Sequence, residues 1–86
     1  MGRVLVVDDQ PDAAATLAAL ILRMGHEARF CTTCDEALEI AREFHPETAF
    51  IDLLMPNVNG FECADRLLKR HSPLRSRVVA SFDSAR

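Results

Sequence analysis

Three aspartates stand where apolar segments of the chain end, and their chemistry points to a cation site. Asp8 and Asp9 directly follow the apolar run at 4–7, and Asp52 follows a second such run. Carboxylates held close together repel one another, so a fold that gathers the three requires a cation between them. A small set of oxygen ligands suits Mg²⁺, which commonly binds one or two carboxylates and a phosphate. A carboxylate beside such an ion can attack phosphorus, which predicts a phosphoryl-acceptor site.

Short apolar runs alternate along the chain with segments of helical period. Strands are predicted at 3–7, 26–31, 48–51 and 77–82, and helices between them at 11–24, 34–45 and 60–70. Pro11 suits the first turn of a helix that Gly25 ends. Thr33 and Glu36 have the spacing of a capping box, which opens the second helix, and Pro46 closes it. The element order is therefore βαβαβαβ.

This alternation predicts an α/β fold with a doubly wound parallel sheet and helices on both faces. The second strand carries His26, Glu27 and Arg29 and is interpreted as an edge, which gives the strand order 2-1-3-4. In that order the first and third strands are neighbours, and ligands bind beyond their carboxyl ends. The three aspartates are predicted to meet there. The helix positions expected to face the sheet are Leu17, Leu20, Ile21, Met24, Ala37, Ile40, Ala41, Phe44, Phe61, Ala64 and Leu68.

Each acid also has a plainer structural interpretation. Asp8 or Asp9 could cap the first helix, and Asp12 is interpreted as a first-turn acid that the helix dipole favours. The conjunction is more specific than any one acid, because the loop after Asp52 also reads Met-Pro-x-x-x-Gly. It favours a site over three separate caps.

The composition excludes some classes of protein. The 86 residues suffice for one domain, with a net charge of −3 and neither Trp nor Tyr. Nucleic acid is not expected as a direct partner, since basic residues are in deficit. No apolar run is long enough to span a membrane, and 1–3 leads into a strand rather than a signal peptide, so a cytoplasmic protein is expected.

Cysteines and histidines carry weaker signals. The three cysteines are an odd number, which argues against a disulfide framework. Cys31 and Cys34 form a C-x-x-C motif, for which thiol redox chemistry or half a zinc site has to be considered. Cys63 falls in another element, and the favoured interpretation is two small residues between a strand and a helix. The histidines, His26, His45 and His71, are interpreted as structural.

Two segments together resemble the receiver domain of two-component response regulators, a flavodoxin-like fold. They are VLVVDDQPD at 4–12 and AFIDLLMPNVNGFE at 49–62. The paired acids of the family match Asp8 and Asp9, and its D-x-x-M-P-x-x-x-G loop matches the segment from Asp52 to Gly60. The resemblance extends over residues 1–86 as a single domain. These correspond to the first two-thirds of a receiver, so the fifth strand and last two helices are expected to be missing.

The resemblance implies a role for each matching residue. Asp52 would accept a phosphoryl group from a sensor histidine kinase or a phosphotransfer protein, without separate enzymatic turnover. Asp8, Asp9, Asp52 and the backbone carbonyl of Leu54 would hold Mg²⁺. The family's hydroxyl residue at the end of the fourth strand is assigned to Ser81. Counting from Asp52 places Phe82 there instead, and Ser84 is a further alternative.

Departures from the family leave alternatives open. The family's fifth-strand lysine has no counterpart, because the chain's one lysine, Lys69, lies on the third helix and is interpreted as a solvated charge. A pseudo-receiver that binds proteins without being phosphorylated is therefore the main alternative. A phosphohydrolase of the haloacid-dehalogenase type needs Asp-x-Asp, and Gln10 stands at its second acid. The apolar edge of the fourth strand is expected to be covered either by further chain or, if the fifth strand is absent from the molecule, by a second copy of the chain.

Overall fold

The computed structural model describes residues 2–52, 60–70 and 78–81, with the backbone alone at Gly60 and 78–81. Strands and helices alternate in this part of the chain as the sequence predicts. The elements are β1 (Arg3–Val7), α1 (Pro11–Arg23), β2 (Glu27–Cys31), α2 (Cys34–Phe44), β3 (Thr48–Asp52), α3 (Gly60–Arg70) and β4 (Val78–Ser81). Predicted strand ends at residues 77 and 82 lie outside the described residues.

The four described strands form one parallel sheet in the order β2-β1-β3-β4, so the predicted order is confirmed. The central strand β1 pairs with β2 on one side and β3 on the other, with Val7 opposite both Cys31 and Ile51. On the far side of β3, Asp52 lies opposite Ser81. β3 includes Asp52, one residue beyond the predicted end.

Buried side chains form one core on each face of the sheet. On one face, Leu5, Val7 and Ile51 pack with the inner sides of α2 and α3, and the rest of this core is Cys31, Cys34, Ala37, Leu38, Ala41, Ala49, Cys63 and Leu67. On the other face, Val4 and Val6 pack against α1 through Ala14, Ala18 and Ile21. Helices thus cover both faces, as expected for a doubly wound sheet.

Local signals explain where two of the helices begin and where α2 ends. Pro11 is the first residue of α1, where a missing backbone N–H costs nothing. The Thr33 hydroxyl accepts from the Glu36 backbone N–H at 3.2 Å, which confirms the predicted N-cap of α2. The Glu36 carboxylate in turn accepts from the backbone N–H of Thr32 at 3.5 Å. α2 ends at His45, whose left-handed backbone has φ 52°, and Pro46 follows.

Three predicted inward positions are wrong. Leu20, Met24 and Phe61 are 51%, 72% and 63% exposed. In α3 the side buried is that of Cys63 and Leu67, spaced four apart, with Ala64 and Leu68 only partly buried. The apolar positions of α1 and α3 are more numerous than one face can bury, so their spacing alone does not fix the rotation of the helix about its axis.

Surface features agree with two further predictions. β2 is an end strand of the described sheet, and its Arg29 guanidinium lies 4.9 Å from the centre of the Phe44 ring. Lys69 pairs with Asp65 at 3.1 Å on the exposed side of α3, which confirms its interpretation as a solvated charge. Within the described ranges, no helix has the length and apolar character needed to cross a membrane.

Candidate functional site

The three aspartates are brought together by the pairing of β1 with β3. Asp8 and Asp9 follow the last residue of β1, and Asp52 is the last residue of β3. Because Val7 and Ile51 are opposite one another in a parallel pair, the residues after them emerge at the same edge. The three aspartates therefore meet at the switch point of the sheet, as the sequence predicts.

The carboxylates are close to one another and differ in exposure. One oxygen from each of Asp8, Asp9 and Asp52 can be chosen so that all lie within 4.8 Å of one another. Asp52 is only 3% exposed, whereas Asp8 and Asp9 are half-buried. Asp52 thus forms the floor of the site, and the other two acids form its rim.

Asp8 is held by bonds to the chain on both sides of the site. Its backbone N–H donates to the Cys31 carbonyl at 3.1 Å, which continues the β1–β2 ladder by one bond. Its Oδ1 accepts from the backbone N–H of Gln10 at 3.0 Å, the local bond typical of aspartate in a turn. The N-cap of α1 is Gln10, so neither Asp8 nor Asp9 occupies the N-cap position. Asp12 does lie in the first turn of α1.

The donor set fits Mg²⁺. All three candidate ligands are carboxylate oxygens, which are hard donors that Mg²⁺ prefers. Two oxygens on one Mg²⁺ can be at most about 4.2 Å apart, because each bond is about 2.1 Å long. The separations of up to 4.8 Å exceed that limit by about 0.6 Å. Side-chain rotations that draw the three carboxylates together would place their oxygens around one ion.

The register of β4 against β3 bears on which residue takes the position of the family's hydroxyl group. Ser81 ends β4 and is the residue opposite Asp52 on β3. Among the candidates for the hydroxyl position, Ser81 is the one that the described residues place level with Asp52. The alternatives Phe82 and Ser84, and the Leu54 carbonyl expected as a metal ligand, lie outside the described residues.

The sequence did not predict a disulfide, yet the structure joins Cys34 to Cys63. The odd number of cysteines argues against a disulfide framework, and the structure has a single pair among the described residues. The link ties the start of α2 to α3, and its Cα atoms are 5.7 Å apart. The available signal was the i, i+4 spacing of Cys63 and Leu67, which turns Cys63 toward α2.

Cys31 is not part of a redox C-x-x-C pair. It is a buried free thiol whose Sγ lies 3.8 Å from the Val6 carbonyl and 3.6 Å from the Thr33 carbonyl. Burial, aided by the charge of Glu36, raises the pKa of the Cys31 thiol to about 12. A thiol that stays protonated is a poor nucleophile and metal ligand, so Cys31 serves as a small core residue.

Known proteins share this fold and these motifs. The sequence profile of the response regulator receiver domain matches residues 4–85. Protein PilH of Pseudomonas aeruginosa is 32% identical over 69 residues, which cover 80% of this chain and 57% of PilH.

Solved structures agree with the sequence comparison. The signal receiver domain of a modulated diguanylate cyclase from Desulfovibrio desulfuricans superposes with a TM-score of 0.82 at 27% identity, over 98% of this chain and 66% of that one. The response regulator TrrA of Thermotoga maritima, in complex with Mg²⁺–BeF, gives 0.74 at 27% identity, over 95% and 66%.

The chain thus spans a little over half the length of PilH and about two-thirds of these two solved chains. The family profile matches nearly all residues of the chain, and the matched region contains the acidic motifs and the parallel sheet described above. The chain belongs to the receiver domain family of two-component response regulators.

Proposed function

We propose that Asp52 is the phosphoacceptor of this receiver domain and that Mg²⁺ binds between Asp8, Asp9 and Asp52. The observation that carries the proposal is the gathering of the three carboxylates within 4.8 Å, with the acceptor on the buried floor. The Mg²⁺–BeF complex of TrrA supports it by analogy. A sensor histidine kinase or a phosphotransfer protein is the proposed donor, because receiver domains interact with histidine kinases.

The transfer is a displacement at phosphorus. An Asp52 carboxylate oxygen forms the new O–P bond while the P–N bond to the donor histidine breaks, and its electron pair returns to the imidazole, which takes up a proton. When bound, Mg²⁺ neutralises charge on the phosphoryl oxygens. Asp8 and Asp9 would hold the cation, and the burial of Asp52 would limit the access of water to the acyl phosphate.

Ser81 is proposed to donate a hydrogen bond to the phosphoryl group. The support is its backbone position opposite Asp52 at the end of β4. A hydroxyl there would stabilise charge that develops during transfer. The Leu54 carbonyl remains the proposed backbone ligand of the cation.

The proposed reaction is a single loading of Asp52 rather than turnover of a separate substrate. The proposed location is the cytoplasm, where kinase domains and their phosphoryl donors are found. A pseudo-receiver that binds partners without being phosphorylated is not favoured, because the full acidic set is present and close together. No direct contact with nucleic acid or membrane is proposed.

The test uses acetyl phosphate and Mg²⁺ as the phosphoryl donor system, with the intact protein weighed. We expect the gain of one phosphoryl mass, lost in Asp52→Asn and retained in the matched control Asp12→Asn, whose acid lies in the first turn of α1. Circular dichroism checks that each variant is folded. A folded wild-type chain that gains no mass at saturating donor would overturn the proposal in favour of the pseudo-receiver.

Self-association through β4 stays a prediction. β4 pairs with β3 and is an end strand of the sheet that the described residues form. Strand edges of this kind can pair with a second copy. Sedimentation velocity over a range of concentrations should show a growing dimer; a monomer throughout would contradict it.

A further inference from the structure

A covalent link joins two helices at the same end of the sheet as the aspartates. Cys34 is the first residue of α2 and Cys63 lies in the first turn of α3. Both helix starts follow strands that end at the acidic edge. The Cα separation of 5.7 Å falls within the range that a disulfide bridges without moving the backbone.

The link is embedded in the packing beneath the site. Cys34 and Cys63 are buried, at 7% and 1% exposure, in the core cluster that also contains Val7 and Ile51. Val7 immediately precedes Asp8, and Ile51 immediately precedes Asp52. The side chains that fix the ends of β1 and β3 therefore share one packed cluster with the two sulfurs.

The third cysteine does not compete for the bond. The Cys31 thiol faces the carbonyls of Val6 and Thr33 at 3.8 and 3.6 Å, and its sulfur is not the one bonded to Cys34. Cys31 is therefore not one of the two sulfurs that change in the redox step.

We propose that Cys34 and Cys63 are a reversible thiol–disulfide site that tunes cation binding at Asp8, Asp9 and Asp52. The inference rests on the proposed function and adds regulation to it. The close-set carboxylates described above belong to the disulfide form, because the bond is present in that geometry. The disulfide form is accordingly the one that binds Mg²⁺ more tightly.

Reduction has a geometric consequence in a packed core. Two thiols must stand apart by about an ångström or more beyond the length of an S–S bond. A buried cluster at ordinary packing density has no spare volume for that, so α2 and α3 must shift. The shift reaches Val7 and Ile51 through the shared cluster and loosens the carboxylates that follow them.

The covalent step needs an oxidant, and we assign that role to hydrogen peroxide. The two thiols lose two protons and two electrons as the S–S bond forms, while the O–O bond breaks and two waters result. A dithiol reductant reverses the step, and disulfides in the cytoplasm are typically of this transient, redox-sensing kind.

The experiment compares the wild-type chain in its two redox states, so it requires no variant that could fail to fold. One sample is treated with hydrogen peroxide and the other with a phosphine reductant. Alkylation after denaturation should label one thiol in the first and three in the second, with peptide mapping assigning the bond to Cys34 and Cys63. Mg²⁺ affinity is then measured by calorimetry, because the chain has no Trp or Tyr to report binding.

We expect Mg²⁺ to bind about tenfold more tightly to the oxidised form, as a misplacement of about an ångström costs that much or more at a preorganised site. Cys63→Ser should bind like the reduced form and ignore peroxide, whereas the matched control Cys31→Ala should keep the response. Equal affinity in both wild-type states, or a bond to Cys31, would refute the inference.

Acetyl phosphate loading separates this inference from the proposed function. If affinity changes with redox state but neither form gains a phosphoryl mass, the phosphoacceptor proposal fails and the redox inference survives. If both forms load and bind Mg²⁺ equally, the reverse holds.

Discussion

The two ends of the parallel sheet differ in how their polar groups are arranged. At the carboxyl end, three like charges lie within 4.8 Å of one another. At the amino end, hydrogen-bond donors are paired with acceptors. The Arg3 backbone N–H donates to the Glu47 carboxylate at 3.2 Å, and the Arg3 guanidinium donates to the His45 carbonyl at 3.1 Å. One end gathers groups that repel, and the other satisfies donors with acceptors.

The amino end continues the same pattern across the strands. The Gly2 backbone N–H donates to His26 Nδ1 at 3.1 Å, and the Glu27 N–H donates to the Gly2 carbonyl at 3.0 Å. The Glu47 N–H donates to the Arg3 carbonyl at 2.8 Å. These bonds fix where β1, β2 and β3 begin. The difference teaches that hydrogen bonds stabilise one end of the sheet, whereas the other end carries repelling charges that only the proposed function explains.

Neutralising Asp52, the proposed phosphoacceptor, should have the largest effect on stability. Two charges 4.8 Å apart repel by about 3.5 kcal/mol at an effective dielectric constant of about 20, and the half-exposure of Asp8 and Asp9 reduces this. Asp52→Asn, measured by urea unfolding in metal-free buffer, should therefore raise the free energy of unfolding by about 2 kcal/mol. Glu47→Gln is the matched change at the amino end, and it keeps an oxygen for the Arg3 N–H, so it should stay within about 0.5 kcal/mol. Equal effects at both ends would remove the contrast.

Cation binding should relieve the same repulsion in the wild-type chain. A ligand at about ten times its dissociation constant stabilises a folded protein by about 1.4 kcal/mol. Mg²⁺ at that level should raise the melting temperature by roughly 5–10 °C. Glu47→Gln should retain the rise, and Asp9→Asn should lose most of it. A rise that survives in Asp9→Asn would place the cation somewhere other than this site.

The arrangement at the carboxyl end of the sheet could largely be predicted from the sequence. Buried parallel strands are near-continuous apolar runs, and this pattern predicts β1 and β3. The polar residues of β2 indicate an edge strand, and β1 and β3 are neighbours in the strand order that results. The meeting of Asp8, Asp9 and Asp52 is then a matter of topology, because residues after neighbouring parallel strands share one edge.

What sequence could not supply depends on how helices turn about their axes. Phe61 and Leu67 lie on two different apolar faces of α3, and the sequence does not say which face is buried. Packing against α2 buries Leu67 and leaves Phe61 exposed. The Cys34–Cys63 bond depends on the same rotation and on the distance between two helices. The choice between Ser81 and Phe82 depends on the register of β4, which the preceding segment of chain sets and no periodicity records.

Removing a hydrogen-bond acceptor at the amino end should lower stability without changing phosphoryl loading of Asp52. His26→Ala leaves the partly buried Gly2 N–H without its side-chain acceptor, and a lost bond of this kind costs about 1 kcal/mol. His26→Asn is the matched control, because its Oδ1 can take the place of Nδ1 and should recover most of the loss. Urea unfolding measures both, and phosphoryl loading should be the same in all three proteins. A loading defect in His26→Ala would show that the two ends are coupled.

The smallest effect concerns the turn between α2 and β3, which also lies at the amino end. His45 has φ 52°, a left-handed conformation that costs a residue with a Cβ about 1 kcal/mol or more and costs glycine little. Glycine also gains freedom in the unfolded chain, which offsets part of the benefit. His45→Gly should therefore raise the free energy of unfolding by about 0.5 kcal/mol, with the carbonyl bond to Arg3 retained because it uses the backbone alone. His45→Ala, which keeps the Cβ, should bring no such gain. If the stabilised His45→Gly chain loads phosphoryl groups at the wild-type rate, stability can be added at the amino end without a loss at the acidic end. Slower loading would mean that the acidic site depends on the strain of this turn.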